Sequence, residues 1–436
     1  VCRSLTADKF STLDLLTALT DKSIISAGET KTEMRYFILE TLRQFAAEKR
    51  LQRDEDETIR AAHFEYFLEL AERTGNEVSQ PDKQITSELL TNEIDNLRLA
   101  LEYGAAENPP AFLRFCNALW QFWQSSGRLE EGRRNFENAL AKNGDAPAES
   151  RVKTLQRLGG LMVLQCDYAG AARIYEDGLR LARDSKNKFY EARILANYGF
   201  TLVNLNEFVR AETLLGEGLE IFHRLKDEKG IAQILNGLGS LAFYRNDFGA
   251  ASAFYAESLE TYRRIEHQLN IIGLLQNLGT TEHLRRNLDE AENYLREAIQ
   301  IAEKLGERRW LNQTRHVLGY VCNDKKDYAQ ALKFFTEALT LDEEIGGKNN
   351  AAHVFEGISC AAAARKDYFR ALKLASVADH LREEIKVPRG ETLQKYFESY
   401  WNSARQAVNP EDAARAVAEA RAMSFDEAIE YALHSG

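Results

Sequence analysis

Proline is scarce in this 436-residue chain: there are 6, at positions 81, 109, 110, 147, 388 and 410, and none lies between Ser150 and Val387. Proline interrupts helix interiors, so this gap points to long uninterrupted helical structure. Cysteine is equally sparse and unpaired. Cys2, Cys116, Cys166, Cys322 and Cys360 stand singly, with no C-x-x-C motif. This excludes a disulfide framework and implies reduced thiols in a cytoplasmic protein, used as small core residues. No apolar run approaches the roughly 18 residues of a membrane span, and the start carries no signal-peptide pattern. The net charge is −11, and no region is strongly basic. Segment 151–390 holds 34 basic and 33 acidic groups, 51–150 holds 10 and 19, and 391–436 holds 4 and 8. That balance argues against binding a phosphate backbone as the main task. The chain opens with Val1 rather than Met, and we expect it to be a fragment of something longer.

Catalytic signatures are missing as well. The histidines (His63, His223, His267, His283, His316, His353, His380, His434) form no H-E-x-x-H and none stands at metal-ligand spacing from a cysteine. There is no G-x-S-x-G elbow and no G-x-x-x-x-G-K-[ST] phosphate loop. The nearest imitation of that loop, Gly346-Gly347-Lys348-Asn349, lacks the first glycine and the hydroxyl residue, and reads as a turn. Acidic pairs such as Glu343-Glu344 and Glu383-Glu384 read as solvated helix faces. No cofactor, metal or catalytic residue is expected.

What the chain does contain is a repeat of 40 residues. Leu158-Gly159 returns as Tyr198-Gly199, Leu238-Gly239, Leu278-Gly279, Leu318-Gly319 and Ile358-Ser359. Further columns hold the same register. One runs Tyr168, Phe208, Phe248, Leu288, Tyr328, Tyr368, and an invariant one Ala171, Ala211, Ala251, Ala291, Ala331, Ala371. Next come Tyr175, Leu215, Tyr255, Leu295, Phe335, Ala375, and then Gly178, Gly218, Ser258, Ala298, Ala338, Ala378. Small residues allow two helices to approach closely, and the aromatic that opens each second helix is expected to plug the gap beside that contact. Polar pairs such as Asn246-Asp247 and Lys326-Asp327 supply turn and cap chemistry between the helices. One such pair cannot bury its apolar face alone, so the pairs must stack. Trp120, Trp123, Leu129, Gly132, Phe136 and Ala139 imitate the columns in a weaker, earlier unit, and Ser424 to Glu427 reads as a capping box opening a last helix.

These columns resemble the tetratricopeptide repeat, over about 148–387. The usual repeat is about 34 residues long; the additional residues here are expected to lengthen the second helix and its connector. The resemblance implies an all-α superhelix, an α-solenoid of stacked helix pairs.

The first residues follow another rhythm. A helix around Thr12–Thr20, β-rich runs at Ser23–Ser26 and Met34–Ile38 around a turn containing Gly28, and a helix from Glu40 to about Arg53 read as the tail of a winged helix. Leu13–Leu16, Leu19, Asp21–Ser23 and the run Arg35–Ala46 resemble bacterial STAND-type NTPase regulators. Those proteins carry an NB-ARC-like ATPase, a winged helix and then tetratricopeptide repeats. His63, Phe64, Tyr66 and Phe67 resemble that family's helical linker, as do Glu93, Asp95–Arg98, Ala100 and Leu101. Ala420–Ser424 with Ala428-Ile429 is similar to its C-terminal end. The expected organisation is 1–53 the C-terminal part of a winged-helix module, 54–110 a helical linker, 111–147 a degenerate first repeat, 148–387 six repeats and 388–436 capping helices. The ATPase is expected upstream of this chain, in cis. Residues 1–50 hold 8 basic and 7 acidic groups, too balanced for a dedicated duplex reader.

The tetratricopeptide resemblance also implies that the first helix of each pair lines a concave face. By register that face carries Arg193, Phe200, Gln233, Asn236, Phe243, Tyr244, Gln276, His283, Gln313, His316 and Tyr320. Amide and aromatic groups on one face combine stacking area with neutral hydrogen-bonding capacity, as a peptide or protein partner, or a small effector, requires. The expected function is a sensor or interaction module of a STAND-type signalling or transcriptional regulator, not an enzyme. A free-standing scaffold for complex assembly is the alternative, and neither nucleic acid nor membrane is an expected partner.

Overall fold

The computed structural model describes residues 9–29, 34–52, 56–76, 89–345 and 348–434. It is an all-α array of helix pairs, preceded by one small antiparallel hairpin. The chain divides into two compact units, Val1–Ile221 and Phe222–Gly436. Helix α1 (Lys9–Asp21) leads into β1 (Ile25–Glu29), which pairs with β2 (Met34–Ile38), and α2 (Glu40–Gln52) follows. Gly28, expected in the turn, instead sits within β1 opposite Arg35, with the Phe37 ring against its α-carbon where a side chain would crowd it. The turn itself and Arg53 lie outside the described residues.

Helices α3 (Asp56–Asn76), α4 (Ile94–Glu107), α5 (Pro109–Ser125) and α6 (Leu129–Lys142) continue the first unit. Asn108 caps α5, its side-chain oxygen accepting from the Ala111 amide at 3.3 Å, and Pro109-Pro110 follow at the positions where a missing N–H costs nothing. Trp123 and Phe136 pack edge to face at 5.4 Å, and Gly132 is pressed between Trp123 and Leu161. Buried residues thus imitate the repeat core before the regular repeats begin.

The regular array then runs α7 (Ala148–Leu164), α8 (Tyr168–Asp184), α9 (Lys188–Asn204) and α10 (Phe208–Leu225). It continues with α11 (Glu228–Tyr244), α12 (Phe248–Arg264), α13 (Gln268–Leu284), α14 (Leu288–Leu305), α15 (Arg308–Asp324) and α16 (Tyr328–Ile345). Helices α17 (Lys348–Ala364) and α18 (Tyr368–Ile385) form the last pair. First and second helices are nearly equal; α11 and α12 are each 17 residues. The additional residues therefore lengthen both helices rather than the connectors, which stay short at 245–247 and 265–267. Gly346-Gly347 lies outside the described residues, and Lys348 and Asn349 begin α17 rather than continuing a turn.

The turn within each regular helix pair works by the same device. Cys166, Asn206, Asn246, Arg286, Lys326 and Lys366 all take left-handed φ, between 60° and 70°, one residue before the next helix cap. At the α11–α12 turn the Asp247 amide reaches back to the Ala242 carbonyl at 2.9 Å and the Asn246 amide to Phe243 at 2.9 Å, closing the helix end. The Asp247 carboxylate then accepts from the Ala250 amide at 3.0 Å to open α12. Cys166 occupies such a turn and is exposed, unlike the buried Cys116, Cys322 and Cys360.

Helix pairs close through the glycine column. A Cβ at Gly159, Gly239 or Gly319 would lie 2.5, 2.6 or 2.4 Å from the ring of Tyr175, Tyr255 or Phe335. The partner of each glycine is therefore the side chain two turns inside the second helix, not the aromatic that opens it; Tyr168, Phe208 and Phe248 are only half-buried. Helices α19 (Glu391–Ala407), α20 (Pro410–Ala422) and α21 (Phe425–His434) end the second unit. The capping box is reciprocal: the Ser424 amide donates to Glu427 at 2.7 Å and the Glu427 amide to Ser424 Oγ at 3.2 Å.

Gly319→Val should cost about 2 kcal/mol, because the Phe335 ring is walled in and cannot yield. Gly216, with nothing near its α-carbon, should gain roughly 0.5 kcal/mol as alanine in its exposed helical site. Urea denaturation of the two variants against the parent measures both signs.

Candidate functional site

The first helices of the second unit carry a polar and aromatic row whose two ends differ. At the α11 end the row is open. Tyr244 is 50 % exposed, and Gln233, Asn236, Phe243 and Gln276 are half-buried. The Phe243 ring stands edge-on to Tyr244 at 5.8 Å and to Phe248 at 5.5 Å. Amides cross between successive first helices: Asn277 Nδ2 donates to Asn236 Oδ1 at 3.2 Å, and Thr314 Oγ1 to Gln276 Oε1 at 3.5 Å. Gln313 is half-buried one helix further along.

At the α17 end the row is covered by the chain itself. Helix α19 lays Tyr396, Phe397, Tyr400 and Trp401 against α13, α15 and α17. The Tyr400 and Tyr396 hydroxyls donate to Asp324 Oδ1 at 2.9 and 3.2 Å. The other carboxylate oxygen takes His283 Nε2 and Arg286 Nη1, each at 2.7 Å. Burial alone would raise the Asp324 carboxyl; the His283 and Tyr400 hydrogen bonds and the Arg286 charge outweigh it and hold the group below its usual range. Beside it, Glu356 is 0 % exposed and meets Arg382 at 2.6 Å and Arg389 at 2.7 Å. Burial opposes its charge, but hydrogen bonds to His353 and Arg382 prevail and bring it down to about 2. The Arg389 guanidinium lies 4.7 Å over the Trp401 ring, adding a cation–π contact. Trp401 in turn donates from Nε1 to Ser359 Oγ at 2.8 Å. Ser359 is the one departure from glycine in its column, and this bond is its structural use.

His283 and Tyr320, expected to meet a ligand, are consequently buried, with Tyr396 packed against them at 5.8 and 6.1 Å. Tyr320 also donates its hydroxyl to the His353 carbonyl. His316 stacks on His353 at 5.5 Å, and burial, with repulsion from His353, lowers it to about 3, so that it stays neutral. The physical reason for this end is the terminal position of α17 and α18: no further repeat covers their apolar face, and the closing helices do so instead. In the first unit, Arg193 is half-buried with its guanidinium 5.6 Å over Phe189, and Phe200 is exposed. The aromatic spacing Tyr396, Phe397, Tyr400 and Trp401 on one helix face, together with Ser359, was the available signal for the covered end.

Among the described residues, no three His, Cys, Asp or Glu side chains group as a metal would require, and no helix is long and apolar enough to cross a membrane. Repeat architecture of this kind generally serves protein interaction.

The tetratricopeptide-repeat family profiles match residues 231–266 and 270–344, both in the second unit. A relative from Mycobacterium tuberculosis, described as an HTH-type transcriptional regulator, is 32 % identical over 134 residues. That match takes in 30 % of this chain and spans only 15 % of the relative's length. Among solved structures, a STAND (Signal Transduction ATPase with Numerous Domains) protein with a tetratricopeptide-repeat sensor from Pyrococcus horikoshii aligns over 93 % of this chain and 57 % of its own, at TM-score 0.54 and 15 % identity. The Rap protein complexed with Competence and Sporulation Factor covers 84 % of this chain and 100 % of its own, at TM-score 0.51 and 12 % identity. NprR in complex with its cognate peptide NprX covers 83 % and 97 %, at TM-score 0.51 and 12 % identity. These likenesses establish the helical-repeat fold.

Glu356→Gln removes the buried counter-charge of Arg382 and leaves Arg389 with the half-exposed Asp379, and should cost about 3 kcal/mol at neutral pH. A depressed carboxylate contributes stability above its ordinary value of 4.5 and loses it as pH falls toward about 2. The parent and variant denaturation midpoints should therefore converge across that acid window and stay apart above it.

Proposed function

We propose that this chain is the ligand-sensing and protein-interaction arm of a STAND-type signalling or transcriptional regulator, and that it captures a peptide or an extended protein segment. The observation that carries the reading is the open end of the row in the second unit, where Asn236, Phe243, Tyr244 and Gln276 present paired amide and aromatic groups. Amide side chains can satisfy both the N–H and the C=O of an extended backbone, and aromatic faces supply contact area at little entropic cost. Two structural neighbours are named as complexes with a factor or a cognate peptide, and a third as a STAND protein with a repeat sensor; these support the class of ligand and the class of parent respectively. A regulator of this kind works by differential affinity: the ligand shifts an attached switch only as far as it prefers one state over the other. The ATPase would lie upstream in cis, and the hairpin-containing segment before the repeats would be the remnant of its winged helix.

The second reading is a free-standing scaffold. The two separate at the gene: an upstream phosphate loop in the same reading frame belongs to the regulator and has no place in the scaffold.

Selection of random heptapeptides on the 436-residue chain should enrich sequences whose affinity falls about tenfold or more in Asn236→Ala and Tyr244→Ala, with unchanged thermal melting. Peptides that bind the two variants and the parent alike would remove the groove from consideration.

A further inference from the structure

The first unit contains a groove whose lining chemistry differs from that of the amide row. A cavity of about 800 Å³ opens between α3, α5 and α7, lined among others by Asn117, Trp120, Gln121, Lys153 and Arg157. Lys153 and Arg193 occupy the same repeat position on successive first helices, and Arg157 stands one turn along from Lys153. The Arg157 guanidinium is anchored by the Asn117 carbonyl and by Asn117 Oδ1, the latter at 3.2 Å. Asn117 is itself fixed, donating to Thr154 Oγ1 at 2.7 Å and to the Leu113 carbonyl at 3.0 Å.

Among the described residues, none of Lys153, Arg157 and Arg193 forms an ion pair. The carboxylate lining the cavity, Glu72, is already engaged by Arg114 through two bonds of 2.9 Å. Burial, with repulsion from Arg193, lowers Arg157 to about 10. Burial and then Arg157 depress Lys153, which Glu149 and Glu72 offset only in part. In the second unit, by contrast, Glu356 neutralises Arg382 and Arg389. A half-buried guanidinium that pairs with no carboxylate among the described residues is costly unless an anion completes it, and its fork geometry matches carboxylate and phosphate oxygens.

We infer that this cavity is a binding site for an oxyanion, carboxylate or phosphate, borne on an apolar or aromatic body that rests on Trp120, with Lys153 and Arg157 receiving the anion and Arg193 reinforcing it. The site lies wholly within the first unit.

Intrinsic tryptophan fluorescence and calorimetry of the 436-residue chain test it, with phenyl phosphate, phenylacetate and neutral phenylacetamide as probes. Saturable binding of phenyl phosphate, phenylacetate or both is expected, weakening with added salt and absent for phenylacetamide. Binding of one anion alone identifies the oxyanion as phosphate or carboxylate; binding of both assigns the general class. Lys153→Gln and Arg157→Gln should each weaken binding roughly tenfold. Among the described residues Lys153 makes no hydrogen bond, so Lys153→Gln keeps the test valid if Arg157→Gln melts early. No saturable response to either anion, an equal response to phenylacetamide, or unchanged affinity in Lys153→Gln would overturn the assignment.

Discussion

Close approach of two helices at a residue without a side chain is the constraint from which the rest of this structure follows. Where Gly319 faces Phe335, or Gly239 faces Tyr255, the aromatic ring occupies the volume a Cβ would take. That contact sets the spacing within a pair and leaves the alanine columns, Ala251, Ala291 and Ala331 among them, fully buried alongside. Because helices α11 and α12 are nearly equal and joined by short turns with one left-handed residue each, successive pairs repeat the same step. Within each unit the same helix face then returns at successive first helices, and side chains 40 residues apart become neighbours.

That periodic neighbourhood is what makes binding surfaces from isolated polar residues. Asn236 and Asn277 bond across adjacent first helices, although 41 positions separate them in sequence. Lys153 and Arg193 are brought onto one face by the same stacking. Neither pair has meaning in a single helix hairpin; each arises because the array places one helix turn beside its counterpart in the next repeat. Each unit taken by itself treats its cations differently: in the second, Glu356 pairs with Arg382 and Arg389, while in the first Arg157 pairs with no carboxylate among the described residues.

The end of the array obeys a different rule. An interior repeat is covered on both sides by its neighbours, whereas α17 and α18 are covered by α19 to α21. Four aromatic residues of α19 fill the face that would otherwise remain open, and Asp324 receives two tyrosine hydroxyls, a histidine and an arginine together. Closure of the array and loss of an open groove are therefore the same event at this end. The accessible part of the row is left near Asn236, Tyr244 and Gln276.

Much of this was legible in the amino-acid order because the repeat is written in local chemistry. Glycine and alanine columns, polar turn pairs and the Ser424–Glu427 box each act within a few residues of themselves, so periodicity alone determined the all-α helix-pair array and the register of its first helices. The partner of each glycine was less visible. In α12 the opening aromatic, Phe248, and the one two turns further in, Tyr255, are both large, and only the crossing of the helices chose Tyr255 over Phe248. The burial of His283 and Tyr320 was harder still to read, the α19 aromatics and Ser359 marking a covered end without telling which residues it covers. Their register marks them as groove residues, and nothing within one repeat tells that Tyr396 will lie on them. Which positions of a regular face stay open is decided by what packs there from a distant part of the chain, through contacts spanning many repeats, and tertiary structure alone supplies that.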